Sequence, residues 1–173
     1  MDPYPGELEA DLVSRDGAPI RIRPIRPNDA PGLIAFHEAL SSGTVYFRFF
    51  RPHPHLSDAE VERFTQVDYR DRLALVIEDQ GAMVAVGRFE RISGTDEAEV
   101  AFVVADEWQH RGLGTILLHR LAEAAAARGI GRFTADTLAD NSAMIGVFRD
   151  AGFDVHFTRD SGTVRVTFPI GPC

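Results

Sequence analysis

Residues 100–125 read VAFVVADEWQHRGLGTILLHRLAEAA. The stretch opens with the apolar run from Val100 to Val104, which is typical of a strand buried on both faces. Its second half carries apolar side chains three or four positions apart, such as Leu113 and Leu117, and this period predicts an amphipathic helix. The short loop between the two contains Gly112 and Gly114. The stretch therefore predicts a strand, a glycine-containing loop and a helix in direct succession.

The loop has the chemistry of an anion site. The first amides of a helix have no partner within the helix, and the aligned peptide dipoles make that end positive. Glycines remove the Cβ atoms that would keep a phosphate away from those amides. Turn geometry alone explains such glycines equally well. A Rossmann fingerprint is excluded because Leu117 occupies the position of its third glycine, and a P-loop is excluded because no Gly-Lys-Ser/Thr triplet occurs.

The rest of the chain predicts an α+β fold, a mixed α/β sandwich with one central, mostly antiparallel sheet flanked by helices. Residues 1–9 are expected to form a mobile tail and residues 10–173 a single domain. The Asp16-Gly17 turn predicts an N-terminal β-hairpin. The predicted strands cover residues 11–15, 20–25, 72–78, 83–91, 97–105, 132–137, 153–158 and 163–168. The predicted helices cover residues 29–40, 57–67, 112–128 and 141–150.

Composition excludes several function classes. The net charge of −8 disfavours a grip on a phosphate backbone, so no nucleic-acid partner is expected. No apolar run is long enough for a membrane span. The single cysteine, Cys173, excludes an internal disulfide framework, and we expect a cytoplasmic location and a dispensable thiol. No Cys or third His accompanies His53 and His55, which a Pro-rich loop explains, so no metal site is expected.

Two segments together carry a family resemblance. The run from Val103 to Thr115 resembles the acetyl-CoA motif of the GNAT superfamily of N-acetyltransferases, which is Gln/Arg-x-x-Gly-x-Gly/Ala after an apolar strand. The segment from Asn141 to Phe153 resembles the second signature of that superfamily, an Asn that opens a helix ending in Gly-Phe. Their order and spacing match over roughly residues 20–170. The resemblance implies a GNAT-like fold and acetyl-CoA as the acyl donor.

Four further segments narrow the resemblance. Residues 23–29, 46–50, 67–69 and 98–102 are similar to the catalytic domain of bacterial protein lysine acetyltransferases. That similarity implies a lysine ε-amine as acceptor, on a protein such as an acyl-CoA synthetase. Two other hypotheses stay open: acetylation of a small amine, such as an amino acid, polyamine or antibiotic, and a CoA-binding sensor without chemistry. The sequence names neither the acceptor nor the oligomeric state.

The resemblance also implies roles for individual residues. The main chain of residues 102–104 would hold the pantetheine arm, the amides of residues 110–115 the pyrophosphate, and the Asn141 side chain another part of the cofactor. Many members carry a Tyr at the position of Phe148, and phenylalanine cannot donate a proton. The implied cofactor-binding residues are Phe102, Val103, Val104, Gln109, His110, Arg111, Gly112, Leu113, Gly114, Thr115, Asn141 and Phe148.

Glu99 is the predicted general base. It precedes a buried apolar run and matches the Glu that the lysine acetyltransferases use, whereas a structural carboxylate at a sheet edge or in an ion pair is the alternative. Glu97 lies on the same strand face by alternation and competes for the role. Arg48 either binds substrate or pairs with a carboxylate. Phe47, Phe49 and Phe50 belong either to the core or to the wall of a substrate site.

Overall fold

The computed structural model describes residues 1–171, which form one eight-stranded sheet flanked by five helices. The predicted α+β fold is thereby confirmed. The strands are β1 (Ala10–Val13), β2 (Pro19–Pro24), β3 (Arg72–Asp79), β4 (Ala82–Arg91), β5 (Glu97–Val104), β6 (Arg132–Leu138), β7 (His156–Asp160) and β8 (Thr163–Pro169). The helices are α1 (Ala30–Glu38), α2 (Ser42–Phe49), α3 (Asp58–Thr65), α4 (Leu113–Ala126) and α5 (Ser142–Asp150).

The sheet is antiparallel except at one junction. Its order is β1-β2-β3-β4-β5-β6-β8-β7, and β5 pairs with β6 in parallel. That parallel pairing covers only residues 97–99 of β5 and residues 132–134 of β6. Beyond Glu99 the two strands diverge, and residues 100–104 pair with β4 alone. The sheet therefore splits in the middle and leaves one edge of β5 open.

Helix α4 packs directly on β4 and β5, and a glycine makes the close approach possible. A Cβ added at Gly87 would lie 2.9 Å from Leu121 and 3.3 Å from the Cβ of Phe102. Leu117 and Leu121 are fully buried at this contact. Any larger residue at position 87 would push the helix away from the sheet. The packing of α4 fixes the position of the loop that leads into it, residues 109–114, which we call the glycine loop.

Helix α2 is the element that the sequence did not predict. Ser41 caps it by accepting a hydrogen bond from the amide of Thr44, and Phe50 ends it in a left-handed conformation with φ of 62°. The helix has eight residues, a length that is marginal without tertiary contacts. Its N-terminus is held by Asp106, which lies far away in the sequence. No local pattern reports such a contact.

Two other segments differ from expectation. The predicted strand 153–158 begins only at His156, because the ring of Phe153 packs on Phe168 with centroids 4.9 Å apart. Residues 1–9, predicted to be mobile, contact the domain: the Tyr4 hydroxyl donates to the Pro24 carbonyl over 3.3 Å, and the Tyr4 ring meets Tyr69 edge-on. Cys173 lies outside the described residues. Within residues 1–171 no helix has both the length and the apolar character to cross a membrane.

Candidate active site

Two adjoining clefts occupy the split in the sheet. The larger cleft, of about 580 Å³, lies between β5, the glycine loop, α2 and α5. The smaller cleft, of about 260 Å³, lies over the point where β5 and β6 diverge. Phe47, Arg48, Phe102, Asn141 and Met144 line both. The two clefts therefore share a wall, and a molecule in one would meet a molecule in the other.

The open edge of β5 presents free peptide groups to the larger cleft. The amide of Ala105 donates to the carbonyl of Val84, so by alternation the peptide groups of Val103 face β4 and those of Phe102 and Val104 face the open edge. The Val104 carbonyl accepts a hydrogen bond from Gln109 Nε2 over 3.1 Å. The N–H and C=O of Phe102 and the N–H of Val104 remain available to an extended ligand.

The glycine loop exposes a row of amides. The left-handed φ values of 63° at His110 and 87° at Gly112 turn the chain sharply before α4 begins. Gly112 is the N-cap residue and has no side chain to cap the helix. The amides of residues 110–115 donate to no group within residues 1–171. His110, Gly112, Leu113, Gly114 and Thr115 all line the larger cleft. Such a concave set of amides at a helix N-terminus suits a bound anion.

The two glycines also serve the fold. A Cβ added at Gly114 would lie 3.3 Å from the Phe102 ring, so this glycine lets the first turn of α4 pack on β5. Gly112 adopts a backbone conformation that side chains with a Cβ rarely take. Turn geometry and anion binding therefore favour the same two residues, and the sequence alone could not separate the two explanations.

The arginine in the loop points away from the larger cleft, and another arginine replaces it there. The Arg111 guanidinium stacks on Trp108 at 3.7 Å from the ring centroid, and its Nε lies 2.9 Å from the Asp16 carboxylate. Arg15 lines the larger cleft instead, within ordinary contact of Gly112, and no carboxylate of residues 1–171 pairs with it. Sequence reasoning missed Arg15, because its position depends on how the β1–β2 turn packs on the loop.

Asp106 and Gln109 fasten α2 beside the larger cleft. The Asp106 carboxylate accepts from the Ser41 amide at 2.8 Å, the Ser41 hydroxyl at 2.7 Å and the Thr44 hydroxyl at 2.5 Å. Burial would raise the pKa of Asp106, but these hydrogen bonds outweigh burial and lower the pKa below its usual value. Gln109 Nε2 also donates to the Thr44 hydroxyl over 3.1 Å. Gln109, the first residue of the predicted acetyl-CoA motif, therefore links α2 to β5 and also lines the larger cleft.

Asn141 and Phe148 form the α5 side of the clefts. The Asn141 carbonyl oxygen accepts from the amide of Met144 over 3.3 Å and caps α5. Its Nδ2 makes no hydrogen bond within residues 1–171, so that donor is free toward the clefts. The Phe148 ring is buried against Phe102 and Phe168, with centroids 5.6 and 5.9 Å away, and lines the smaller cleft. Phe148 is thus an apolar wall without a proton to donate.

Glu99 and Glu97, the two candidates for the general base, have different surroundings. Glu99 lines the smaller cleft at the divergence of β5 and β6, and within residues 1–171 its carboxylate makes no ion pair or hydrogen bond. The Glu97 carboxylate lies 3.8 Å from Arg132, and Glu97 lines neither cleft. Glu90, opposite Glu99 on β4, also lines the smaller cleft but pairs with Arg63. Sequence reasoning missed Glu90, whose proximity follows only from strand register.

His53, one of the two histidines before α3, has a structural role. His53 Nε2 lies 2.8 Å from the Glu60 carboxylate, and the His53 carbonyl lies 2.6 Å from His37 Nε2. Among the described residues no cluster of three or more potential metal ligands occurs.

Comparisons with known proteins agree with this geometry. The family model described as Acetyltransferase (GNAT) family matches residues 37–153, more than half of the chain. Acetyltransferase Pat of Mycolicibacterium smegmatis is 33% identical over 161 residues, which cover 91% of this chain and 48% of that protein.

Solved structures give the same result. The crystal structure of the GNAT domain of S. lividans PAT is 43% identical, has a TM-score of 0.91 and is matched over 96% of this chain and 99% of that chain. A cAMP-binding acyltransferase from Mycobacterium smegmatis is 29% identical with a TM-score of 0.68, over 95% of this chain and 48% of that chain. The chain therefore spans about half the length of the two M. smegmatis proteins.

Proposed function

The chain belongs to the acetyltransferase (GNAT) family, and we propose that it transfers the acetyl group of acetyl-CoA directly to the ε-amine of a lysine on a protein. Acetyl transfer follows from family membership, and the acceptor is the proposed part. One observation carries the proposal: Glu99 places an unpaired carboxylate in the smaller cleft, next to the open edge of β5. A base, a donor site and an acceptor site then meet at the split in the sheet.

The larger cleft fits acetyl-CoA in several respects. The free peptide groups of Phe102 and Val104 would pair with the amides of the pantetheine arm, as a neighbouring strand would. The amides of residues 110–115 would hold the pyrophosphate, and Arg15 would add a positive charge beside them. The free Nδ2 of Asn141 would donate to the cofactor where the two clefts meet. The donor supplies the thioester that reacts.

Glu99 solves the main chemical difficulty of the reaction. A lysine amine has a pKa near ~10.4, so it arrives protonated at neutral pH and cannot attack. Glu99 would accept that proton, directly or through water. The amine nitrogen would then bond to the thioester carbonyl carbon while the bond from that carbon to sulfur breaks. The sulfur can leave as the thiolate without an acid from Phe148, because thiols are acidic, with a pKa of about 8.5 for free cysteine. The thiolate then takes up the second proton, which the nitrogen loses as the amide forms.

The surface around the smaller cleft supports a protein acceptor. Tyr46 and Phe47 of α2, and Phe50 directly after it, are large aromatic residues with exposed fractions of 45%, 36% and 36%. Phe47 and Phe50 line the smaller cleft, whereas Phe49 is half-buried against His37. Exposed aromatic residues at the rim of a site are typical of surfaces that bind another protein. The resemblance of residues 46–50 and 98–102 to bacterial protein lysine acetyltransferases supports the same acceptor class.

A labelling experiment tests the proposal. The protein would be incubated with radiolabelled acetyl-CoA and purified acyl-CoA synthetases, then with a panel of amino acids, polyamines and aminoglycosides. The sequence contains no lysine, so the enzyme offers no ε-amine of its own to compete for label. We expect label on a synthetase and an acetyl-lysine located by mass spectrometry. Label on small amines alone, or on nothing, would contradict the proposed acceptor.

A further inference from the structure

The smaller cleft contains two arginines without a carboxylate partner. Arg48 of α2 and Arg88 of β4 both line it, and neither forms an ion pair with a carboxylate of residues 1–171. The Arg48 guanidinium lies 4.8 Å from the centroid of the Phe49 ring. The Arg88 guanidinium lies 4.3 Å from the Phe64 ring centroid, and its Nη1 donates to the Phe64 carbonyl over 3.2 Å. Aromatic faces and one carbonyl do not neutralise two cations.

The surroundings make these charges costly. Burial, together with the nearby charge of Arg48, lowers the pKa of Arg88 to about 9. Burial also lowers the pKa of Arg48. Glu60 near Arg48 and Glu90 near Arg88 act in the opposite direction but do not offset the effect of burial. Because a guanidinium keeps its proton under ordinary conditions, the lowered pKa values indicate that the two positive charges are incompletely compensated. An anion bound between the two side chains would supply it.

A third polar group on the smaller cleft also lacks a partner. The Thr134 hydroxyl is buried, with the residue 3% exposed, and makes no hydrogen bond within residues 1–171. Thr134 pairs with Glu99 across β5 and β6, so its side chain lies on the same face of the sheet as the base. A buried hydroxyl without a partner costs free energy that a ligand can recover. Three elements thus bring unsatisfied polar groups to one cavity.

We propose that Arg48 and Arg88, assisted by Thr134, bind a carboxylate that the acceptor carries close to its reactive amine. This inference rests on the proposed function, because it concerns the acceptor of the same reaction. Glu99, Glu90 and Asp136 supply the negative side of the smaller cleft, with Asp136 paired to Arg165, and suit the ammonium, whereas the arginines suit an anion. The planar fork of a guanidinium matches a carboxylate. On a protein acceptor the carboxylate belongs to an Asp or Glu near the target lysine, and on a small acceptor to a free amino acid.

Equilibrium binding tests the subsite without relying on catalysis. Capped peptides with one lysine would carry Glu, or Gln as the matched control, one or two positions before or after it. Isothermal titration calorimetry would measure their affinities for the CoA-saturated protein. We expect the best Glu peptide to bind about tenfold more tightly than its Gln twin, a difference of about 1.4 kcal/mol, because the carboxylate forms charge-assisted hydrogen bonds that the amide does not. Glycine, 4-aminobutyrate and 6-aminohexanoate in the same titration identify the small-acceptor source.

The variants give the decisive comparison. In Arg48→Gln and in Arg88→Gln, the ratio of the affinity for the Glu peptide to the affinity for the Gln peptide should fall close to one. Arg120 lies outside both clefts, so Arg120→Gln should leave that ratio unchanged. Arg88→Lys keeps a positive charge and should retain part of the preference for the Glu peptide, even if the contact with Phe64 weakens. The subsite is overturned if Glu and Gln peptides bind wild type equally and none of the three amino acids binds. It is also overturned if the preference for the Glu peptide survives in both Arg48→Gln and Arg88→Gln. A clear ratio without acetyl transfer to any lysine would leave the subsite standing and overturn the proposed function.

Discussion

At the residue scale, the two arginines nearest the glycine loop should contribute differently to cofactor binding. Arg15 faces the larger cleft without a carboxylate partner among residues 1–171, whereas Arg111 is neutralised by Asp16 and stacked on Trp108. Arg15→Gln should therefore raise the Kd of acetyl-CoA about three- to tenfold, as expected for one charge-assisted contact. Isothermal titration calorimetry measures the change.

Arg111→Gln is the matched control, because it removes the same charge from the loop segment that lies beside Arg15. We expect it to change the Kd by less than about twofold and to lower the melting temperature through the lost stacking. If Arg111→Gln weakens acetyl-CoA binding more than Arg15→Gln does, our assignment of the cationic partner is incorrect.

At the same scale, the sequence predicted those site residues whose chemistry is local. Gly112 and Asn141 stand at predicted helix starts, and the structure places both on the larger cleft. Glu99 was separable from Glu97 only by resemblance, and the structure adds that Glu97 lies near Arg132. Arg15 was out of reach, since it comes from a turn nearly a hundred residues before the loop. Side chains that meet through tertiary packing leave no signal in the local pattern.

At the scale of single elements, α2 depends on one carboxylate. Asp106 accepts three hydrogen bonds from Ser41 and Thr44. Asp106→Asn should lower the free energy of unfolding by about 1 kcal/mol at neutral pH, as the loss of a helix cap does, and should weaken acetyl-CoA binding because α2 borders the larger cleft. The folded-state pKa of Asp106 is below its usual value of 3.8. The stabilisation is therefore complete above that value and is lost as the pH falls through the lower, folded-state pKa.

Urea unfolding of wild type and variant from pH 7 to pH 3 measures this dependence. The difference between them should stay constant down to about pH 4 and shrink below it. Glu107→Gln provides the control, because its exposed neighbouring carboxylate makes no hydrogen bond or ion pair within residues 1–171. An equal loss of stability in both variants would show that Asp106 does not anchor α2.

The elements themselves were largely predictable. Alternation and the 3.6-residue period located β2 to β6, β8, α1 and α3 to α5 within a few residues, because each carries its own apolar pattern. The short α2 has only Val45 buried and is stabilised from Asp106, so no periodicity indicated it. Strand β7 is exposed along its whole length and pairs only with β8. Its start was misplaced because Phe153 serves the core rather than the strand.

At the scale of the whole molecule, acetyl-CoA should stabilise the fold by mass action. At a concentration 100 times its Kd, a ligand that binds only the folded state adds about 2.7 kcal/mol. The melting temperature should therefore rise with acetyl-CoA concentration. Gly112→Asp places a negative charge and a Cβ in the larger cleft and should abolish this shift. Gly114→Asp should do the same, with an added loss of stability from its contact with Phe102.

Gly94→Asp controls for backbone strain. Gly94 also has a left-handed φ, 78°, but a Cβ there meets no atom within 4 Å, and the residue lies outside both clefts. This variant should be destabilised like the others and still show the full shift with acetyl-CoA. A shift that survives in folded Gly112→Asp and Gly114→Asp would contradict binding at the loop.

The arrangement of the whole molecule was the least accessible to sequence. The predicted order of strands and helices left open which strands are neighbours, and the short parallel pairing of β5 with β6 creates both clefts. That pairing ends at Glu99 and Thr134. Nothing local in either strand marks the point of divergence, because Val100 and Ala135 continue the apolar patterns of their strands.

The most direct test of the central claim is the pH dependence of acetyl transfer in Glu99→Gln. Positioned general bases contribute roughly 10²–10⁴-fold, so turnover with a lysine peptide near pH 7 should fall by about that factor while acetyl-CoA affinity stays nearly unchanged. The defect should shrink as the pH approaches the lysine pKa near ~10.4, because more of the amine is then neutral. Glu97→Gln should have a much smaller effect. Nearly full activity of folded Glu99→Gln near pH 7, or an equal loss in Glu97→Gln, would contradict Glu99 as the base.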